Sequence, residues 1–178
     1  MLPTRIFMTG FMGTGKSTIG RLVADQLDYS TVDVDTLIVE TVGCPITEIF
    51  SEEGEAAFRQ YEHQALADAC RGSECIVSLG GGALIEPENR PLIADAGVLI
   101  YLCATFDTIY ERVSHRFHRP LLLDDNGNMI SRELFEERAR PLFEARRPGY
   151  ESADIIIDVD AMEKEEVAGL VLAKLQTL

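Results

Sequence analysis

Short apolar runs alternate along the chain with stretches whose apolar residues recur at helical spacing. Residues Arg5–Thr9 carry the unbroken run Ile6, Phe7 and Met8, which predicts a buried strand ending at Gly10. Ile19, Leu22, Val23 and Leu27 recur every three or four residues, which predicts a helix over Lys16–Leu27. The alternation continues with a strand over 31–34 and a helix over 36–42 closed by Gly43. A further helical turn opens near Thr47, a suitable cap before Glu48. A long helix is predicted over 54–70, then strands over 75–79 and 97–103 and a helix over 106–114. Another helix follows to about residue 146, then a strand over 154–158 and an amphipathic helix from 162 onward. Strand alternating with helix predicts an α/β fold: three layers around a mostly parallel central sheet. No repeat or linker interrupts the pattern, so residues 1–178 are expected to form a single domain. The polar stretch 115–131 lacks periodicity. Loops of that length are commonly functional, and a mobile lid is expected over about 113–131.

Charge narrows the choice of partner. The chain has 178 residues, 16 basic and 30 acidic, for a net charge of −14. Such an acidic body repels nucleic acid and anionic membrane, so neither is expected as a partner. Against that background, eight of the 16 basic residues lie between Arg112 and Arg147, and all eight are arginine. The guanidinium fork suits carboxylate and phosphate; a solvated helical face is the plainer reading of any one of them. Cys44, Cys70, Cys75 and Cys103 form no CxxC pair and have no neighbouring histidine, so free thiols in a reducing cytoplasm are expected rather than a zinc site. The longest apolar runs, such as 98–104, are too short to span a bilayer.

The most specific motif is Gly10-Phe11-Met12-Gly13-Thr14-Gly15-Lys16-Ser17, which fits GxxxxGK[ST] between a predicted strand and a predicted helix. Such a loop turns its backbone N–H groups inward onto phosphate oxygens at a helix N-terminus. Lys16 then reaches the β- and γ-phosphates of ATP, and the Ser17 hydroxyl can ligate Mg²⁺. No NKxD motif for guanine is present, and the chain is too short for a motor ATPase. A kinase for a small molecule is the natural reading.

The acceptor side is expected across residues 33–62 and the loop after the third strand. Asp33 and Asp35 flank one residue at the end of the second strand, and in open parallel sheets ligands bind outside the strands' carboxyl ends. One carboxylate can serve the metal and the other an attacking hydroxyl; an acidic turn capping the next helix would look the same. Arg59 and Glu62 share a helix face. They read either as a grip on an anion or as a surface ion pair. Gly80, Gly81 and Gly82 permit close backbone approach to a ligand; the alternative is a strained turn.

Taken together these motifs resemble shikimate kinase. The resemblance runs through Gly13-Thr14-Gly15-Lys16-Ser17-Thr18, Asp33-x-Asp35, Gly43-x-x-Ile46-x-Glu48-Ile49-Phe50, Gly54-Glu55-x-x-Phe58-Arg59-x-x-Glu62, Gly80-Gly81-Gly82, Arg119-Pro120-Leu121-Leu122 and a final Arg-x-Pro-x-Tyr. It implies a P-loop kinase fold with a five-stranded parallel sheet. It also implies transfer of the γ-phosphoryl group of ATP to the 3-hydroxyl of shikimate, on the route to aromatic amino acids, by a cytoplasmic monomer. Lys16, Asp35 and Arg119 would be catalytic. Asp35, Arg59, Gly81 and the flanking Gly80 and Gly82 would hold shikimate. Residues 13–18, Arg112 and Arg119 would hold ATP, with Arg112 near the adenine. Ser17 would ligate Mg²⁺, with Asp33 supporting it directly or through water. The second substrate arginine falls on Arg146 by its spacing to Pro148 and Tyr150, with Arg147 and Arg140 as alternatives, because Gly149 replaces the family's usual large apolar residue. Kinases for other metabolites such as gluconate, or a silent kinase-like binding protein, are the competing readings. The set of Asp35, Arg59 and the glycines argues against the first, and the presence of Lys16, Asp35 and Arg119 against the second.

Overall fold

The structure, a computed structural model, describes residues 2–114 and 130–178. Five strands form one sheet: β1 (Arg5–Thr9), β2 (Ser30–Asp33), β3 (Cys75–Ser78), β4 (Val98–Cys103) and β5 (Ile155–Asp158). Their order is β2-β3-β1-β4-β5 and every pair is parallel. The central strands are apolar because both their faces are covered. Ile6, Phe7 and Met8 of β1 and all of β3 are buried, whereas edge strand β5 exposes alternate residues.

Helix α1 (Lys16–Leu27) packs with α8 (Lys164–Leu175) on one face. Gly20 of α1 sits against Met8 and Ile76, which sets that face. Met8 pairs with Ile100, so the alternation of β4 turns Tyr101 to the opposite face. There the ring of Tyr150, at the end of α7 (Arg132–Tyr150), lies 5.2 Å from that of Tyr101. The remaining helices are α2 (Val34–Val42), α3 (Ile46–Glu52), α4 (Gly54–Ala69), α5 (Asn89–Ala96) and α6 (Phe106–Val113). Among the described residues no helix is long and apolar enough to cross a membrane, and all four cysteines are free.

Several boundaries differ from the sequence reading. The second strand lies one residue earlier than expected. Asp33 caps α2 by accepting the Thr36 N–H at 3.2 Å, so the helix starts at Val34. Thr47 does not cap α3, which opens after Pro45 and already contains Thr47 in its first turn. Helix α5 was not expected: it is short and carries Pro91 in its first turn, where a missing N–H costs nothing. Helix α7 runs past Arg146 to Tyr150 with Pro141 and Pro148 inside it, held by its buried face of Phe135, Ala139, Phe143 and Tyr150. The expected lid lies outside the described residues except at its ends, and Arg119 lies outside them too.

Candidate active site

Three neighbouring strands, β2, β3 and β1, deliver their carboxyl ends to one edge of the sheet. Asp33 ends β2, the glycine triplet follows β3 and the phosphate loop follows β1. The loop enters α1 through Gly15, whose φ of 101° is a left-handed conformation that favours glycine. Lys16 opens the helix, and its Nζ donates to the carbonyl oxygens of Gly10 at 2.8 Å and Phe11 at 3.1 Å. A cavity of about 220 Å³ in front of it is lined by residues of the loop, Asp33, Asp35, Leu79, Gly81 and Arg146. The structure thus gathers Lys16, Ser17, Asp33, Asp35, Gly81 and Arg146 around one space.

The two aspartates separate as their spacing allows. Asp33 accepts the Ser17 hydroxyl at 2.9 Å through Oδ2 while Oδ1 caps α2. It therefore caps the helix, as one reading of the sequence had it, and also meets the Ser17 hydroxyl. The Ser17–Asp33 pair is an all-oxygen set at the foot of the phosphate loop, which suits a hard cation completing its shell with phosphate and water oxygens. Asp35, in the first turn of α2, instead faces the glycine triplet.

Each glycine of the triplet abuts a charged side chain. A Cβ on Gly80 would lie 2.8 Å from Asp35 Oδ1 and 2.9 Å from Glu62 Oε1. One on Gly81 would lie 3.2 Å from Arg146 Nη1, and one on Gly82 would lie 2.8 Å from both terminal nitrogens of Arg59. A side chain at Gly80 or Gly82 would displace these groups and one at Gly81 would crowd Arg146; none of the three has a left-handed, positive φ, so the protein's own charged side chains, not turn strain, account for the triplet.

Arg59 and Glu62 are not a surface pair. Arg59 Nη1 donates to Glu62 Oε2 at 2.6 Å, with side-chain exposures of 13% and 1%. Glu55 accepts from Nη2 at 3.1 Å and Glu86 lies 3.8 Å from Nε. Burial raises the Glu62 carboxyl above its usual range even though Arg59 draws it down. Burial opposes the Arg59 charge, but Glu62 and Glu55 outweigh it and hold the guanidinium above its usual value.

Helix geometry sends the three candidate arginines of α7 to different places. Arg146 points to Gly81, its guanidinium lies 5.9 Å from the Phe11 ring centroid, and its buried Nε makes no hydrogen bond. One residue on, about 100° around the helix, Arg147 is half-exposed and paired with Glu144 and Glu151. Arg140 is also half-exposed, paired with Glu136 over the Phe106 ring. The Tyr150 hydroxyl donates to the Gly81 carbonyl, and burial pushes its pKa up to about 12. Sequence reasoning placed Tyr150 in a motif without a role. It missed Phe11 and Glu86, for which no spacing gives a signal.

On the other side of the phosphate loop a cavity of about 270 Å³ is lined by Gly13, Thr14, Gly15, Arg112, Val159 and α8 residues. Arg112 donates through Nη2 to the Val159 carbonyl at 2.7 Å, which brings it beside the loop after β5.

The parallel sheet, the phosphate loop and the facing cluster of Asp35, Arg59 and Arg146 define a P-loop kinase that acts on a small acceptor. Which kinase follows from comparison: the family model for shikimate kinase matches residues 12–176, and the chain belongs to that family. A shikimate kinase of Chlorobium chlorochromatii is 45% identical over 159 residues, covering 89% of this chain and 84% of that one. The crystal structure of shikimate kinase from Bacteroides thetaiotaomicron superposes with a TM-score of 0.86 at 30% identity, covering 99% of both chains. Shikimate kinase from Acinetobacter baumannii, solved in complex with shikimate, gives 0.85 at 29% identity over 98% of this chain and 93% of that one.

Proposed function

We propose that the chain transfers the γ-phosphoryl group of ATP to the 3-hydroxyl of shikimate, with the glycine triplet as the floor of the acceptor site. One observation carries the reading: Gly80, Gly81 and Gly82 each abut a charged group, Asp35, Arg146 and Arg59 in turn, beside the phosphate loop. Shikimate carries one carboxylate and three hydroxyls on a ring. Two guanidinium forks suit the carboxylate and a carboxylate suits a hydroxyl. Gluconate offers a flexible chain with no rigid ring to span these groups, so the family match and the charge layout favour shikimate over it.

The phosphate loop amides and Lys16 hold the β- and γ-phosphates, and the cavity at Arg112 and Val159 takes the base. Arg119, by its place in the family motif, reaches the transferring phosphate. Asp35 orients the 3-hydroxyl toward the γ-phosphorus and takes up its proton as the new P–O bond forms and the bond to the ADP oxygen breaks. Phosphoryl transfer through a loose transition state depends chiefly on such positioning. Ser17 and Asp33 would hold Mg²⁺, which would supply positive charge to offset that of the phosphates. The enzyme works as a cytoplasmic monomer, in the route that leads from shikimate toward chorismate.

ADP release by the purified protein with ATP and Mg²⁺ tests this against a panel of acceptors. Shikimate is expected to drive turnover, with gluconate, quinate and water near background. Turnover that ignores shikimate would overturn the assignment.

A further inference from the structure

The acceptor floor has no side chains across 80–82, so its shape is backbone, and other groups must hold that backbone still. Three carbonyl oxygens along it each accept a hydrogen bond from a helix side chain. Tyr150 of α7 donates to Gly81 O, Asn89 Nδ2 of α5 to Ala83 O at 2.8 Å, and Arg90 Nε of α5 to Leu84 O at 3.1 Å. Asn89 is fully buried. Its Oδ1 lies 2.7 Å from Nδ1 of His63 on α4. Because Nδ2 is committed to the Ala83 carbonyl, Oδ1 is the atom that meets His63, and the His63 Nδ1 must carry the hydrogen.

His63 stands one helical turn beyond Arg59 on the same helix. Asn89 therefore ties the backbone next to Gly82 to the helix that carries Arg59. Beside this bridge, one residue along the floor and one turn along the helix, the approach is tight: a Cβ on Gly82 would lie 2.8 Å from the Arg59 guanidinium. Placement on this scale matters, since a misplacement of about 1 Å can cost on the order of 100-fold in rate.

We propose that Asn89, oriented by His63, is a positioning residue for the acceptor: it sets the distance between the glycine floor and Arg59 at which a shikimate carboxylate fits. The proposal rests on the reading of Arg59 and the triplet as the acceptor site. A buried asparagine that merely satisfies the fold would make the same bonds, so the test must separate binding from folding.

Asn89→Asp keeps the shape and still accepts from His63, but turns a carboxylate oxygen onto the Ala83 carbonyl. His63→Ala removes the orienting donor from a partly exposed site, and His63→Asn returns an amide N–H near the Nδ1 position. Steady-state kinetics, shikimate calorimetry and thermal melts on the intact protein read the effects. Asn89→Asp is expected to raise the shikimate KM about tenfold or more, with ATP KM within about twofold and kcat falling less than KM rises. His63→Ala is expected to raise it roughly three- to tenfold, and His63→Asn to bring it back within about twofold of wild type. If Asn89→Asp does not fold, the two His63 variants decide. A shikimate KM that stays near wild type in folded Asn89→Asp or in folded His63→Ala overturns the proposal. So does a parallel rise in both substrate KM values that tracks lost stability and is not rescued by His63→Asn. Arg59→Ala serves as the control: if it leaves shikimate binding unchanged, the acceptor-site reading falls, and if it alone responds, that reading stands and the positioning role of Asn89 falls.

Discussion

Replacing Arg59 with alanine separates what this residue does for binding from what it does for folding. In wild type the guanidinium lies so near Gly82 that a Cβ there would come within 2.8 Å of it, and its charge meets Glu62, whose side chain is 1% exposed. Loss of charge-assisted hydrogen bonds to a substrate carboxylate is worth about 1.5–3 kcal/mol. At about 1.4 kcal/mol per decade, the shikimate KM should rise roughly 10- to 150-fold. ATP KM should stay within about twofold, because the phosphate loop is untouched. The fold also suffers, since removing one partner of a buried pair costs about 3–5 kcal/mol. Glu55 and Glu86 add little, being exposed enough to recover water. Glu62 already sits above its usual carboxyl range through burial, and losing Arg59 removes the strongest influence that lowers it. Between its unfolded value near 4.3 and its raised folded value, the native form binds more protons, so stability falls as pH rises through that window. The variant should therefore lose more melting temperature at pH 8 than at pH 5.5, relative to wild type. Adding Glu62→Gln should restore much of the melting temperature and none of the shikimate affinity. A shikimate KM within about threefold of wild type, under about 0.7 kcal/mol, would refute the reasoning.

Lys16→Ala should leave the circular dichroism spectrum unchanged while kcat falls about 10²–10³-fold, the usual loss of one preorganised donor aimed at developing charge. Asp35→Asn should cut kcat by about 10²–10⁴ with ATP KM barely moved. Asp33→Asn keeps the helix cap, so its defect should be relieved in part by raised Mg²⁺; identical profiles for the two variants would contradict the division of labour. Gly82→Ala drives a Cβ into Arg59 and should raise the shikimate KM at least about tenfold with ATP KM unchanged.

The order of strands and helices was legible because buried strands and amphipathic helices carry distinct periods; the limits of α1 follow from Gly15 and from the apolar residues up to Leu27. Helix α5 escaped because eight residues opening Asn-Arg-Pro carry too few turns to show a stripe. The end of α7 escaped because Pro148 reads as a stop, while burial of Gly149 and Tyr150 holds the helix through it. Phosphate-loop residues were legible from local chemistry, since one contiguous motif makes that half of the site. The acceptor half comes from α2, α4, α7 and the loop after β3, far apart in sequence. There the residue types showed, and the spacing to Pro148 and Tyr150 pointed to Arg146, but spacing alone left Arg140 and Arg147 open as the arginine that turns inward. That choice depends on the rotation of α7 against Phe11 and Gly81. Asn89 and His63 gave no signal at all, because a hydrogen bond to a backbone carbonyl leaves no pattern in side-chain spacing.

The most direct measurement of the account is a crystal structure of the protein with shikimate, ADP and Mg²⁺. It should show the shikimate ring over Gly80–Gly82, its carboxylate on Arg59 and Arg146, and its 3-hydroxyl on Asp35 facing the phosphate loop. Shikimate bound away from the glycine triplet, for example in the hollow that Arg59 also lines with Gln60, His63 and Glu88, or with its carboxylate away from both arginines, would contradict it.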